Sequence, residues 1–467
     1  MKNINEIYRR LSAILIFVLA GIACSRSDKP FVSDVEHPGW SKEIVMYEVN
    51  VRQYTPEGTF AAFSGHLQRL KQLGVDVLWF MPIYPIGEVN RKGTLGSYYS
   101  VKDFTAVNPE YGTIDDFKSV LEQAHNLGMH VLLDWVPNHT SWDNQLTVDH
   151  PDFYVKDSKG NFTPPIGTDW TDVIQLDWSN PGLQDYMIEA MSFWVKMGVD
   201  GFRVDHPHNT PEQFWIRARS ALNQIQPVLL LAEHEGAGQF VDSGFDMNYS
   251  WELHHLMINV AEGKDSVTSI KKYFQKELKV YPDNVYRLQF LTNHDENSWA
   301  GTLDSLVGDA EPVLANMIFT VRGVPLLYSG QEVCLNKRLR FFERDTIAWD
   351  TCKMTRIYSE LISLKKANEA LWNGEYGGKM TLIETNRDNS IFAFRRDKGD
   401  NRVVVFLNLT KRKVYFKPSY NNLDGDYTDY YSGREITLPL DEDVIMGPWS
   451  YIILIRKADM QTENLLK

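Results

Sequence analysis

Three times in this 467-residue chain an amphipathic stretch runs into a glycine and then into a short, unbroken apolar run. Phe63 to Leu73 leads through Gly74 to Val77-Leu78-Trp79-Phe80, and Phe117 to Leu127 leads through Gly128 to Val131-Leu132-Leu133. Leu183 to Met197 leads through Gly198 to Gly201-Phe202-Arg203-Val204. A glycine at such a point suits the left-handed residue that closes a helix. Short continuous apolar strands are usually buried on both faces, as in parallel sheets covered by helices. Repeated helix–glycine–strand units mean βα architecture.

Spacing separates a closed barrel from an open sheet. Asp205 and Glu233 lie 28 residues apart, about one βα unit, while Glu233 and Asp295 lie 62 apart, or two units. Asp134 to Asp205 spans 71 residues, one unit with a small insertion. Strands are expected near Ile44–Arg52, Val75–Pro82, His130–Pro137, Gly201–Asp205, Val228–Glu233, Phe245–Tyr249, Arg287–Asn293 and Val324–Tyr328. Eight strands alternating with helical patterns predict a (β/α)8 TIM barrel, whose site lies at the C-terminal strand ends. No Gly-x-Gly-x-x-Gly opens a helix, so a dinucleotide fold is not indicated.

The barrel is expected over residues 40–375, with a short inserted domain after the third strand at about 140–183, rich in Asp, Trp, Pro and Gly. From 376 to 467 the pattern turns to β-rich runs, among them Ile391-Phe392-Ala393-Phe394 and Val403-Val404-Val405-Phe406-Leu407. These predict a C-terminal antiparallel β-sandwich.

Three of the apolar runs end on a carboxylate: Gly201 to Asp205, Leu229 to Glu233, and Leu291 to Asp295. An ionised group closing a buried strand loses hydration at a cost, so three at equivalent strand ends suggest one charged site. The net charge of −13 argues against nucleic acid or anionic lipid as partner, and a neutral substrate fits best.

Lys2, Arg9 and Arg10 precede an apolar run from Leu11 to Ala23 that is short for a bilayer span and has the look of a secretory leader. Residues 1–24 read as a signal peptide with a lipobox-like Gly21-Ile22-Ala23-Cys24, and 25–39 as a linker. The expectation is an exported protein of a Gram-negative bacterium, in the periplasm or on the outer membrane, touching membrane only through a lipid anchor at Cys24. Cys334 and Cys352 are left as either a bridge or two free thiols.

In combination these segments resemble the α-amylase family, glycoside hydrolase family 13, over about residues 40 to 457. The resemblance rests on Asp134-Trp135-Val136-Pro137-Asn138-His139, Gly201 to Asp205, Ala232-Glu233, Asn293-His294-Asp295, Gly323 to Glu332, and Gly96 to Asp103. It implies a retaining hydrolase of α-glucosidic bonds, α-1,4 in starch-like polysaccharides or maltooligosaccharides, working by double displacement. Such chemistry uses two carboxyl groups about 5–5.5 Å apart.

The resemblance assigns Asp205 as nucleophile, Glu233 as general acid/base, and Asp295 as the third acid steadying the oxocarbenium-like charge. Arg203, on the same strand face as Asp205, is expected to lower the Asp205 pKa, and the apolar run before Glu233 to raise that of the acid. Glu235 ranks second for the acid. His139 and His294 are expected to bind sugar hydroxyls and Tyr99 to stack on a sugar ring, with Tyr98 the competing choice. His208 stands, beside Asn209, where many relatives carry a Lys-His pair. Asn138 and Asp177 are the candidate ligands of a structural Ca²⁺, and no cofactor is otherwise required. The sequence also admits a glucosyl transferase or isomerase on the same fold, or a non-catalytic glucan-binding protein.

Overall fold

The computed structural model describes residues 35–236 and 244–456. The expected leader, the lipobox and most of the linker lie outside them. No helix among the described residues is long and apolar enough to cross a membrane.

Eight parallel strands close into a barrel: β1 (Met46–Val49), β2 (Val77–Phe80), β3 (His130–Trp135), β6 (Gly201–Val204), β7 (Leu229–Ala232), β8 (Met247–Tyr249), β9 (Tyr286–Gln289) and β10 (Val324–Tyr328). Each takes its place in chain order around the ring, and β10 pairs back onto β1. Between β3 and β6 the insertion adds a two-stranded antiparallel pair, β4 (His139–Ser141) and β5 (Val173–Gln175). The three glycines of the repeated units have positive φ: 101° at Gly74, 70° at Gly128 and 114° at Gly198.

Alternation along each strand sorts the side chains. Met46, Val77, Leu132, Leu229, Leu231, Met247, Leu288 and Leu326 fill the barrel interior, while Tyr47, Leu78, Leu133, Phe202 and Leu230 pack outward beneath the helices. Toward the C-terminal ends the inward positions turn polar: Glu48 follows Met46, Asp134 follows Leu132, and Glu233 follows Leu231. On β6 the inward positions are Gly201, Arg203 and then Asp205, just past the strand. Polarity is thus delivered to one mouth by period-two geometry.

Gly201 is required by close approach. A Cβ there would sit 2.0 Å from the Leu229 carbonyl oxygen on the neighbouring strand. The seventh barrel strand is shorter than the sequence suggests, ending at Gln289 instead of Asn293. Its neighbour β8 already stops at Tyr249. Asn293 leaves the ladder, and its Oδ1 accepts the Glu296 N–H at 2.8 Å, opening a π-helical turn over Glu296–Ala300.

The C-terminal domain holds β11 (Lys379–Leu382), β12 (Ile391–Lys398), β13 (Asn401–Asn408), β14 (Val414–Phe416), β15 (Gly425–Asp429), β16 (Glu435–Leu438), β17 (Val444–Met446) and β18 (Tyr451–Arg456). Six of these form one antiparallel sheet, and the β14–β17 pair packs on it through Val404, Phe406, Phe416 and Met446. One buried guanidinium ties this domain to the barrel: Arg396 donates to the carbonyls of Gly378, Thr320 and Trp372.

Gly201→Ala is expected to destabilise the fold by about 3 kcal/mol or more, because the clash is with backbone and not with a movable side chain. Thermal denaturation checks this, and an unchanged melting temperature would contradict it.

Candidate active site

The Arg203 guanidinium, with no exposed surface, stands at the centre of the barrel mouth. Its Nη1 donates to both oxygens of Asp134 at 2.9 and 3.0 Å and to Asp205 Oδ1 at 3.1 Å. Its Nη2 lies 2.8 Å from Glu233 Oε2, and its Nε donates to Tyr249 OH at 3.2 Å. Three carboxylates from β3, β6 and β7 therefore share one cation. Asp134 is sealed, whereas Asp205 keeps 13% and Glu233 16% of its side-chain surface exposed.

His206, directly after Asp205, has φ 38° and ψ 61°, a left-handed conformation unusual for a side-chain-bearing residue. That turn aims its backbone N–H at Glu233 Oε2, 3.0 Å away. The protonation order expected from the sequence is reversed in the free protein. Burial, with the Glu233, Asp134 and Asp295 charges adding to it, outweighs Arg203 and pushes Asp205 well above the usual aspartate value. Burial would raise Glu233 too, but Arg203, the His206 N–H and the His294 and His206 rings hold it below the usual glutamate value. The reason is that Arg203 is divided: Nη1 is shared with Asp134, while Nη2 faces Glu233 alone. The two acids titrate as one unit.

Asp295 lies across the cleft with 40% of its side chain exposed. Beside it His294 is buried, with Nδ1 2.5 Å from Glu48 Oε1 and Nε2 2.7 Å from Tyr99 OH. Tyr99 OH donates to Asp134 Oδ2 at 3.1 Å, as does Trp79 Nε1 at 3.2 Å. The Tyr99 ring stacks over His294 at 5.4 Å and faces the cleft. Tyr98 is buried instead, donating to Asn50 Oδ1 and packing under Arg52. His139 reaches the same cleft, with its ring 5.5 Å from Trp170. Burial, then His206, holds its pKa down to about 3, so the ring is neutral.

Two further residues singled out in the sequence have other contacts. His208 sits exposed on a short 3-10 turn, 3.0 Å from His234. Glu235 is turned away, its Oε1 2.6 Å from Arg287 Nη2 and its Oε2 accepting the Glu252 N–H at the start of the helix Trp251–Glu262.

The family model for the alpha amylase catalytic domain matches residues 34–379. The chain belongs to the alpha-amylase family. It is 24% identical to Alpha-amylase 2 of Dictyoglomus thermophilum, across 91% of this chain and 78% of that protein. Among solved structures, an alpha-amylase from Lactobacillus plantarum is 30% identical with a TM-score of 0.79, over 89% of this chain and 99% of that one. A maltogenic alpha-amylase from Thermotoga neapolitana is 26% identical with a TM-score of 0.81, over 89% and 98%. The protein is a glycoside hydrolase on a barrel of this family.

The amylase-type cleft, about 540 Å³, has walls that the motifs do not include. Trp299, 56% exposed on the π-helical turn, packs 5.3 Å from Phe341, and Phe342 lies beside them. Cys334 and Cys352 are paired, and their bridge closes the loop carrying both phenylalanines. Asn297 and Ser298 hold that loop through Lys337 O, the Leu339 N–H and the Arg338 side chain. Trp170 and Asp172 form the opposite wall. Trp135 and Trp178 are core, and Trp251 stacks on Tyr249. The Trp299 and Phe341-Phe342 signals were present as aromatic residues after Asp295 and after β10, but no spacing rule separates a platform from core.

Of the two calcium ligands suggested by the sequence, Asn138 has its side-chain oxygen already engaged. Asn138 Oδ1 already accepts from Gln175 Nε2 at 3.1 Å and from Asn209 Nδ2 at 2.8 Å. The same Gln175 amide also faces the backbone oxygens of Asn138 and Leu176. Asp177 caps Ser179 through its N–H and hydroxyl. Amide protons point where a cation would need bare oxygens, and Ca²⁺ wants six to eight of them. Among the described residues no cluster of three or more His, Cys, Asp or Glu offers a metal site. A chelator is therefore expected to leave the melting temperature within about 1 °C of the untreated protein. A drop of several degrees, reversed by added Ca²⁺, would contradict this.

Proposed function

We propose that the protein hydrolyses α-1,4-glucosidic bonds in starch-like polysaccharides or maltooligosaccharides with retention, Asp205 acting as nucleophile and Glu233 as general acid/base. One observation carries the reading: Asp205 and Glu233 contact the same guanidinium at the barrel mouth, and each keeps part of its side chain exposed. That brings two carboxyl groups to a single sugar ring, as double displacement requires.

The roles follow from the charges. Burial raises the Asp205 carboxyl, Arg203 and the His206 N–H lower that of Glu233, and the two acids exchange charge as one unit. Positive charge developing at the anomeric carbon favours the Asp205 anion, while the glycosidic oxygen takes a proton from Glu233. Asp205 attacks C1, the bond to the leaving oxygen breaks, and a glucosyl ester forms. Water then returns its proton to Glu233 as it displaces Asp205. Asp295 faces the ring and adds negative charge where the oxocarbenium-like state needs it. Tyr99, Trp170 and Trp299 offer the flat apolar surfaces on which the C–H faces of glucose pack. Transfer to a sugar acceptor instead of water uses the same ester, so a product profile from maltoheptaose separates the two outcomes.

For location we infer export, with Cys24 as a lipid attachment point. The Cys334–Cys352 bridge supports an oxidising compartment.

Asp205→Asn is expected to lower kcat on maltooligosaccharides by about four orders of magnitude with the fold retained, as circular dichroism would show. Near-wild-type turnover would refute Asp205 as nucleophile. Glu233→Gln should lower kcat/KM on natural glucans far more than on aryl α-glucosides with good leaving groups, whose departure needs no proton, while the missing base slows ester breakdown for both. An equal loss on both substrates would rule Glu233 out as the acid.

A further inference from the structure

Glu48 belongs to none of the motifs, yet it is a carboxylate with no exposed surface at the top of β1, 2.5 Å from His294 Nδ1. Hydrogen-bond accounting around His294 fixes its protons. Asp134, chelated by Arg203, is an acceptor. The single hydroxyl proton of Tyr99 goes to Asp134, so Tyr99 must accept from His294, and Nε2 carries a hydrogen. Glu48 Oε1 faces Nδ1, placed to accept a hydrogen from that side.

We propose that Glu48 is a positioning residue that keeps His294 doubly protonated, so that the ring presents an N–H and a positive charge beside Asp295. This deepens the proposed catalytic reading and rests on it for its functional consequence.

The surroundings agree. The ring is faced by Glu48 from β1, Trp79 from β2, Tyr99 from the following loop, Arg203 from β6 and its own neighbour Asp295, whose Oδ2 lies 3.4 Å from Nε2. Burial and Arg203 oppose the charge, but Asp295 and Glu48 outweigh them and raise His294 to about 9. Tyr328 and Tyr249 close over Glu48 as neutral groups, their phenol pKa values pushed up by burial. With Asp134, Asp205, Glu233 and Asp295 crowded into one mouth, a second cation beside Arg203 offsets part of their mutual repulsion.

The test is the protonation state of His294 in the intact protein, followed by ¹⁵N-histidine NMR against pH, the signal assigned by its loss in H294Q. Both ring nitrogens protonated at pH 7.5 is the expected result; a bare ring nitrogen at that pH overturns the proposal. This readout needs no turnover, so it stands or falls apart from the roles of Asp205 and Glu233. In Glu48→Gln, which keeps the shape and removes the charge, the ring should lose a proton by pH 7.5. The alkaline limb of kcat/KM should then move acidward by about one unit or more. Glu48→Asp should restore the limb even if kcat stays low. A Gln variant with a lower melting temperature and unmoved pH limbs would mark Glu48 as merely structural and overturn the proposal.

Discussion

A cation fully withdrawn from water governs the architecture of this site. Arg203 sits inside the barrel with Asp134, Asp205 and Glu233 around it, and none of the four is tolerable alone there. Removing one partner of such a buried set leaves an uncompensated charge, typically costing about 3–5 kcal/mol. The β3, β6 and β7 strand ends are thereby held in one register, and two carboxyl groups that would repel each other are kept side by side. Division of the guanidinium also sets the proton. One nitrogen serves Asp134 and Asp205 together, the other faces Glu233, and the His206 backbone turns in to reinforce the second.

Around that centre the supporting contacts form a continuous chain. Glu48 meets His294, His294 meets Tyr99, and Tyr99 meets Asp134, which chelates Arg203. Every link joins different barrel strands or their loops, so the chain exists only once the barrel has closed. The cleft walls depend on a separate device. The Cys334–Cys352 bridge and the amide contacts of Asn297 fix the loop bearing Phe341 and Phe342 against Trp299. Specificity surfaces are thus mounted on loops and charge on strand ends, the usual division of labour in a (β/α)8 enzyme.

Much of this was readable from residues alone, for physical reasons. Buried parallel strands need continuous apolar runs and helix-ending glycines, so Gly74, Gly128 and Gly198 mark units, and their spacing counts a barrel. Carboxylates closing such runs announce themselves because they are costly. Glu48 did not, since it does not close its apolar run: Ile44-Val45-Met46-Tyr47 continues past it into Val49. Asp134 was quoted within a motif without a role, because its partner Arg203 is 69 residues away. The order of the Asp205 and Glu233 pKa values was misread for a similar reason. Sequence adjacency pairs Arg203 with Asp205, while the third dimension gives its free nitrogen to Glu233. The side-chain oxygen of Asn138 is taken by the amides of Gln175 and Asn209, which are unremarkable in sequence.

The most direct test is to trap the glucosyl ester. Glu233→Gln protein would be exposed to an activated fluoro-substituted α-glucosyl fluoride, digested, and mapped by mass spectrometry. A stable adduct of one glycosyl unit on the peptide carrying Asp205 is the predicted result. No adduct despite turnover of the fluoride, or an adduct on another carboxylate, would contradict the account.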